Sequence, residues 1–127
     1  MTQEEKDLLL KDLCGRLPYG VKFQSENIET AFFVDTSDNE VWINGTCIDD
    51  FKPYLFPLSS MTDEQKYTCP IGVANLDTFI KNESWTYLEI TPDSILCLID
   101  WLNKNHFDYR GLIEKGLAID VTGKNIY

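Results

Sequence analysis

The stretch that decides the fold is TPDSILCLIDWLNKNHFDYRGLIEKGLAID, residues 91–120. Thr91 can cap the first turn of a helix, and Pro92 suits the first helical position because its missing N–H would be unpaired there. Four aliphatic residues recur at i, i+3, i+4 and i+7, which places them on one helical face: Ile95, Leu98, Ile99 and Leu102. We expect a helix over 92–105 with this face in the core. The polar residues Asp93, Asp100, Asn103 and Lys104 should face solvent.

The segment that follows this helix contains the only histidine of the chain. His106, Asp108, Tyr109 and Arg110 combine an imidazole, a carboxylate, a phenol and a guanidinium, which are groups that enzymes use. The same residues also suit a helix terminus, because a protonated imidazole complements the negative end of the helix dipole and Arg110 can pair with Asp108. We favour the structural interpretation. His106, Asp108 and Arg110 remain the catalytic candidates, and Tyr109 is a candidate binding residue.

The N-terminal residues predict another helix. Thr2 with Glu5 three positions later is a capping-box pattern. An apolar face follows at Leu9, Leu10, Leu13, Cys14 and Leu17. Gly15 is expected to end this helix in a left-handed conformation, and Pro18 prevents its continuation.

Between residues 20 and 48 the apolar positions recur with a period of two, which indicates β-strands. We predict strands at 21–24, 28–35 and 41–43, separated by turn-forming residues. Asn44 and Gly45 supply the two positive-φ positions of a tight hairpin turn before a returning strand. The expected sheet is an antiparallel meander.

The middle of the chain is less regular in pattern. Pro53 and Pro57 argue against a long regular element over 49–61, so we predict a single helical turn or an irregular crossover that packs on the core. If its apolar side chains are exposed instead, Tyr54 and Phe56 are candidate binding residues. Further elements follow from local patterns: a helix from Thr62, a helix over 73–81, and strands at 85–90 and 117–121. Residues 123–127 are expected to fray.

These elements predict one α+β domain over residues 1–127. Strands come in a run and are followed by helices, rather than alternating with them. The antiparallel sheet should consist mainly of residues 20–48, joined by the strands near 85–90 and 117–121. The N-terminal helix and the 92–105 helix should pack on one of its faces.

Composition and charge exclude several classes of function. The 127 residues are 43% hydrophobic, which fits a globular domain, and no apolar run is long enough to cross a bilayer. The net charge of −10 argues against direct nucleic-acid binding, because phosphates would be repelled. The N-terminal residues carry acids where a secretion signal would carry bases, so we expect a cytoplasmic protein.

No motif identifies a metal or a cofactor. Cys14, Cys47, Cys69 and Cys97 include no CxxC pair, so we predict four buried or half-buried thiols. The chain has no glycine-rich phosphate loop, HExxH, calcium loop or GxSxG. Adjacent acids at 49–50 more often cap a helical turn than form a paired-carboxylate site. The tryptophans Trp42, Trp85 and Trp101 could stack a sugar or a base but are interpreted first as core residues.

Three segments, in this order, resemble a family of small uncharacterised proteins encoded by bacteriophages, prophages and mobile elements of gut bacteria. They are LLLKDLCGRLPYG at 8–20, FKPYL with SSMT within 51–62, and DWLNKNHFDYRGLIEKGLA at 100–118. The resemblance implies a phage-related origin and the interior of a bacterial host, and it implies no reaction. Members typically have a basic residue at the position of Phe56.

The expected function is a non-enzymatic accessory protein that binds a host or phage protein, without nucleic acid, membrane or cofactor. One alternative is an inhibitor whose carboxylates imitate DNA phosphates, which would require acids aligned about 7 Å apart along one face. Another alternative is an enzyme that uses His106, Asp108 and Arg110.

Overall fold

The described residues form an α+β fold, as predicted. The computed structural model describes residues 1–82 and 91–127, so the strand predicted at 85–90 lies outside the described residues. The helices are α1 Gln3–Arg16, α2 Asp63–Tyr67, α3 Val73–Asn82 and α4 Pro92–Lys104. The strands are β1 Lys22–Gln24, β2 Ile28–Thr30, β3 Val34–Ser37, β4 Glu40–Ile43, β5 Thr46–Cys47, β6 Tyr54–Pro57, β7 Phe107–Asp108 and β8 Ile119–Asp120. Single 3-10 turns occupy Leu17–Tyr19, Ile48–Asp50 and Leu58–Ser60.

The predicted meander is present as β3-β4-β5, while β1 and β2 form a separate antiparallel pair. Both hairpin turns of the meander have positive φ at their two central residues. The values are 54° and 61° at Asp38 and Asn39, and 50° and 83° at Asn44 and Gly45. This backbone matches the twist of the flanking strands, which confirms the predicted turns. The single strand expected at 28–35 is wrong, because residues 31–33 interrupt it.

The prediction of a single helical turn or an irregular crossover over 49–61 is wrong for Tyr54–Pro57, which forms β6, while 3-10 turns lie on either side at Ile48–Asp50 and Leu58–Ser60. Within this segment β6 is the central strand of a sheet in the order β7-β6-β8, and both neighbours are parallel to it. Its prolines are tolerated because they lie at the ends: Pro53 precedes the strand and Pro57 is its last residue. The β8 strand therefore pairs with β6, and not with the meander as expected.

Strand β6 separates two apolar clusters. Leu55 belongs to the first cluster, which also contains Leu9, Leu13, Val21, Phe23, Ile43, Ile48, Phe51 and Leu112. Phe56 packs against the second, which contains Met61, Leu76, Phe79, Leu98, Leu102 and Phe107. Successive side chains of a strand point to opposite sides, so β6 contributes to both clusters. The predicted inner face of α4 is confirmed at Leu98 and Leu102, while Ile95 and Ile99 are half-buried.

Helix α1 approaches α4 closely at a glycine. Gly15 does not end the helix, which continues to Arg16, and the left-handed residue is Gly20 with a φ of 70°. A Cβ on Gly15 would lie 2.8 Å from Nδ2 of Asn103. Asn103 is therefore buried rather than solvent-facing as predicted, and its Oδ1 accepts from the hydroxyl of Tyr109 at 3.0 Å.

The expectations for the cysteines and for the C-terminal residues are partly corrected. Cys47 is half-buried and Cys69 is buried as predicted, but the thiol-bearing residues Cys14 and Cys97 are exposed. The last residue does not fray. The hydroxyl of Tyr127 donates to the carbonyl of Tyr54 at 2.7 Å and accepts from the backbone N–H of Lys22 at 2.8 Å. No helix in the described ranges is long and apolar enough to cross a membrane.

Candidate functional site

Part of the predicted group at the exit of α4 lines an open cleft of about 490 Å³. The residues at its walls are Pro57, Leu58, Ser59, Ile80, Asp108, Tyr109, Arg110, Gly111, Ile113, Glu114 and Lys115. His106 is not among them. The structure therefore brings Asp108, Tyr109 and Arg110 to one cleft and places the imidazole elsewhere.

The carboxylate of Asp108 holds the backbone of the loop that follows β7. Its Oδ1 accepts from the backbone N–H groups of Arg110 at 3.2 Å and Leu112 at 3.1 Å. Its Oδ2 accepts from the N–H of Ile113 at 2.9 Å. Asp108 is itself buried, and these bonds supply the partners that a buried carboxylate needs. Its oxygens are thus already engaged by the loop.

A buried ion pair lies behind the cleft, on α1. Arg16 is 0% exposed, and its Nε and Nη2 donate to the carboxylate of Asp12 at 2.7 and 3.1 Å. Its Nη2 also donates to the carbonyl of Phe107 at 2.7 Å. The Nε of Arg110 lies 3.3 Å from Asp12 as a charge contact without hydrogen-bond alignment. One carboxylate therefore serves two guanidiniums.

The ring of Tyr109 lies close to both of these cations. The guanidinium carbons of Arg16 and Arg110 are 5.3 and 5.1 Å from its centroid, within the range of cation–π attraction. Sequence analysis did not identify Arg16 or Asp12. Their i, i+4 spacing was a usable signal, because Asp12 falls three residues after Leu9 and so borders the apolar face of α1.

His106 belongs to a second contact, with Tyr127. The two rings stack with centroids 3.5 Å apart and an interplanar angle of 11°. Burial of the imidazole, followed by the charges of Arg16 and Lys22, lowers the pKa of His106 to about 4. Its Nδ1 is buried without a hydrogen-bond partner among the described residues. A neutral imidazole of such low basicity is a poor general base near neutral pH.

The other candidate residues have structural partners. Tyr54 and Phe56 are half-buried in β6, and the Phe56 ring lies 6.3 Å from Phe107 and 6.1 Å from Tyr127. Trp42 and Trp101 are half-buried and donate their indole N–H groups, to the carbonyl of Ser37 and to Oγ1 of Thr68 respectively. Trp85 lies outside the described residues.

The adjacent acids at 49–50 lie within a 3-10 turn, and no side chain caps it, contrary to expectation. Asp49 instead joins Glu40 and Cys47, whose ligating atoms all lie within 4.8 Å of one another. The ammonium of Lys6 is 3.3 Å from Glu40 and 3.6 Å from Asp49, so a cation from the chain already offsets one of the two carboxylate charges of this group. The hydrogen bond to Glu40 is the main cause that raises the pKa of Lys6.

Three exposed apolar side chains among the described residues lie within one short segment, which the sequence analysis placed in a strand. Phe32 and Phe33 are 79% and 55% exposed, and Ile28 is 53% exposed. We call Ile28, Phe32 and Phe33 the aromatic patch. An alternating strand could turn only one of two consecutive phenylalanines toward the core, so the FF dipeptide itself was the missed signal.

No protein-family model, curated protein or solved structure matches the chain.

Proposed function

We propose that the protein is a non-enzymatic binding protein that contacts its partner through the aromatic patch. The observation that carries this proposal is the pair of adjacent phenylalanines that are 79% and 55% exposed. Burying a phenylalanine side chain is worth about 1.5 to 3 kcal/mol, and this gain is largely forgone in the free chain. Exposed clusters of large apolar side chains are typical of interaction sites, where aromatic residues contribute most of the binding energy.

The residues at the exit of α4 support a non-enzymatic function. The carboxylate oxygens of Asp108 accept hydrogen bonds from three backbone N–H groups, and Arg110 contacts the carboxylate of Asp12. His106 stacks on Tyr127 and has a pKa near 4. Each catalytic candidate thus has a structural role, and His106 does not line the cleft where the other two lie.

The context of the proposal comes from the sequence. We place the protein in the cytoplasm of a bacterial host and assign it a host or phage protein as partner, on the basis of the resemblance to phage and prophage proteins. The net charge of −10 disfavours nucleic acid as the direct partner.

Affinity capture from a bacterial lysate, compared between variants, tests the proposal. The test variant carries Phe32→Ser and Phe33→Ser, and the matched control is Tyr67→Ser, because Tyr67 is an aromatic residue of α2 that is 80% exposed. We expect the wild type and the control to retain the same host protein and the double variant to lose it. Equal capture by all three would refute a role of the patch. Substrate turnover that His106→Asn abolishes would instead support the enzyme hypothesis.

A further inference from the structure

We infer that the partner presents an apolar pocket bordered by lysine and arginine side chains, and that Asn44 holds the aromatic patch in the conformation that enters this pocket. The inference rests on the proposed function and adds to it the chemistry of the partner. It also assigns a positioning role to a residue outside the patch.

Asn44 fixes the backbone from which the phenylalanines project. Its Oδ1 accepts from the N–H groups of both Phe32 and Phe33 at 3.1 Å, and its Nδ2 donates to the carbonyl of Thr30 at 2.8 Å. Its own N–H donates to the carbonyl of Phe33 at 2.8 Å. A single residue at the tip of the β4–β5 hairpin therefore satisfies four polar groups of an irregular segment.

This arrangement favours binding. A segment that is already ordered loses less conformational entropy when it meets a partner, and more of the contact energy then appears as affinity. Asn44 can occupy the turn because asparagine tolerates its φ of 50°. Glycine would tolerate the same backbone but would remove the three side-chain hydrogen bonds.

The segment that carries the patch is acidic, and lysines occur only at its two ends, as Lys22 and Lys52. Residues 23–51, which include β2 to β5 and all of β1 except Lys22, contain seven acidic residues and no lysine or arginine. The acids are Glu26, Glu29, Asp35, Asp38, Glu40, Asp49 and Asp50. Lys6 of α1 pairs with Glu40 and Asp49. Lys22 precedes the segment in β1, and its ammonium donates to the carbonyl of Ile126 and lies over the ring of Tyr127.

This charge selects the partner. Complementary charges around an apolar contact accelerate association and reject partners of like charge. A second copy of the chain would bring the same acidic segment to the contact, and anionic membranes or nucleic acids would also be repelled. The charge complement of the patch is a protein surface whose apolar pocket has a basic border.

A selection from a random displayed-peptide library tests both parts of the inference. The immobilised wild-type chain is the bait, and a Phe32→Ser, Phe33→Ser chain removes peptides that bind elsewhere. We expect selected peptides that combine apolar residues with lysine or arginine. One such peptide, made synthetically, is then titrated against each variant.

For this peptide we expect Phe32→Ala to raise Kd by at least about 10-fold, as truncation of an aromatic anchor does. Asn44→Gly should raise Kd by about 3- to 10-fold through lost preorganisation while the near-UV spectrum of the folded chain is kept. Raising the salt from about 0.05 M to about 0.5 M should weaken binding several-fold by screening. Tyr67→Ala should leave Kd unchanged.

Three different results would contradict different parts of the inference. A selection in which no peptide survives the subtraction with the Phe32→Ser, Phe33→Ser chain would overturn the proposed function and this inference together. Binding that needs both phenylalanines but selects neutral or acidic peptides, or is indifferent to salt, would overturn the basic border alone. An Asn44→Gly chain that binds as tightly as the wild type would overturn the positioning role of Asn44 alone.

Discussion

Replacing Asp12 by asparagine removes the only carboxylate in contact with two guanidiniums among the described residues. Arg16 is 0% exposed and donates twice to Asp12, and the Nε of Arg110 lies 3.3 Å from the same group. Asparagine preserves the size of the side chain but carries no charge, and half of its polar end is a donor that cannot face another donor. The guanidinium of Arg16 would then be buried without a counter-charge.

The expected cost of Asp12→Asn is about 3 to 5 kcal/mol of unfolding free energy, which is the usual effect of removing one partner from a buried ion pair. Arg16 is an unfavourable case for relaxation. Its Nη1 is already buried without a hydrogen-bond partner within residues 1–82 and 91–127, and its Nη2 donates to the carbonyl of Phe107. Since domains are typically stable by about 5 to 15 kcal/mol, the variant should be close to unfolding.

Urea unfolding followed by far-ultraviolet circular dichroism measures this cost. With a slope of about 1.5 kcal/mol per molar, the midpoint should fall by about 2 to 3 M. The matched control is Asp77→Asn, which breaks the 3.1 Å pair between Lys66 and Asp77. Asp77 is exposed, so this pair should contribute less than about 1 kcal/mol.

A double variant tests whether the loss of stability comes from leaving the charge of Arg16 buried without a partner. In Asp12→Leu with Arg16→Met, both buried charges are replaced by apolar groups, so much of the loss should be recovered. The reasoning fails if Asp12→Asn costs no more than the exposed control. It also fails if the double variant is no more stable than Asp12→Asn.

Three further outcomes are expected. The pKa of His106 is about 4 in the folded chain against 6.5 for a free imidazole, so the unfolded chain binds the proton more tightly. Its contribution to stability is therefore complete above about pH 6.5 and is lost as the pH falls toward 4. The matched variant is His106→Asn, because asparagine tolerates the φ of 62° at this position. The urea midpoint of this variant should fall less than that of the wild type between pH 6.5 and 4. Gly15→Ala should lower stability by about 1 kcal/mol despite its better helix propensity, because its Cβ would lie 2.8 Å from the Asn103 amide, and the same change should stabilise an Asn103→Ser chain. Asp108→Ala should cost about 3 kcal/mol by leaving three backbone N–H groups without their acceptor, and a loss under about 1 kcal/mol would show that water replaces the carboxylate.

Features that depend on three or four consecutive residues could be predicted from the sequence. The capping boxes at Thr2 and Thr62 are both formed, and so is the Asn44–Gly45 turn. In each case the hydrogen-bond donor and acceptor, or the required φ, belong to the same short segment. The helix at 73–81 also required only local spacing and is present as Val73–Asn82.

Pairing between distant segments could not be predicted in the same way. Strand β6 pairs with Phe107–Asp108 and with Ile119–Asp120, which follow it by more than fifty residues. Parallel pairing leaves no hairpin signal, and its partners here are only two residues long. Pro53 and Pro57 argue against a long regular element in the sequence, whereas in the structure Pro53 precedes β6 and Pro57 is its last residue.

The candidate site was missed for a related physical reason. The catalytic candidates were chosen for their functional groups, and the structure assigns those groups to loop and core contacts. The alternating pattern predicts that the strand continues through Phe32 and Phe33, and this prediction conceals the aromatic patch. The backbone in fact leaves the strand there, and Asn44 accepts hydrogen bonds from the N–H groups of both phenylalanines. Asn44 lies twelve residues after Phe32 and eleven after Phe33, and it belongs to a turn.

Three separate stretches of the chain, residues 8–20, 51–62 and 100–118, meet in space. Arg16 of the first donates to the carbonyl of Phe107 in the third, and Phe56 of the second pairs with Phe107 across β6 and β7. Gly15 of the first lies against Asn103 of the third. The aromatic patch lies outside all three segments, so replacing Ile28, Phe32 or Phe33 should leave these contacts intact, whereas Ala31 between them is part of the core.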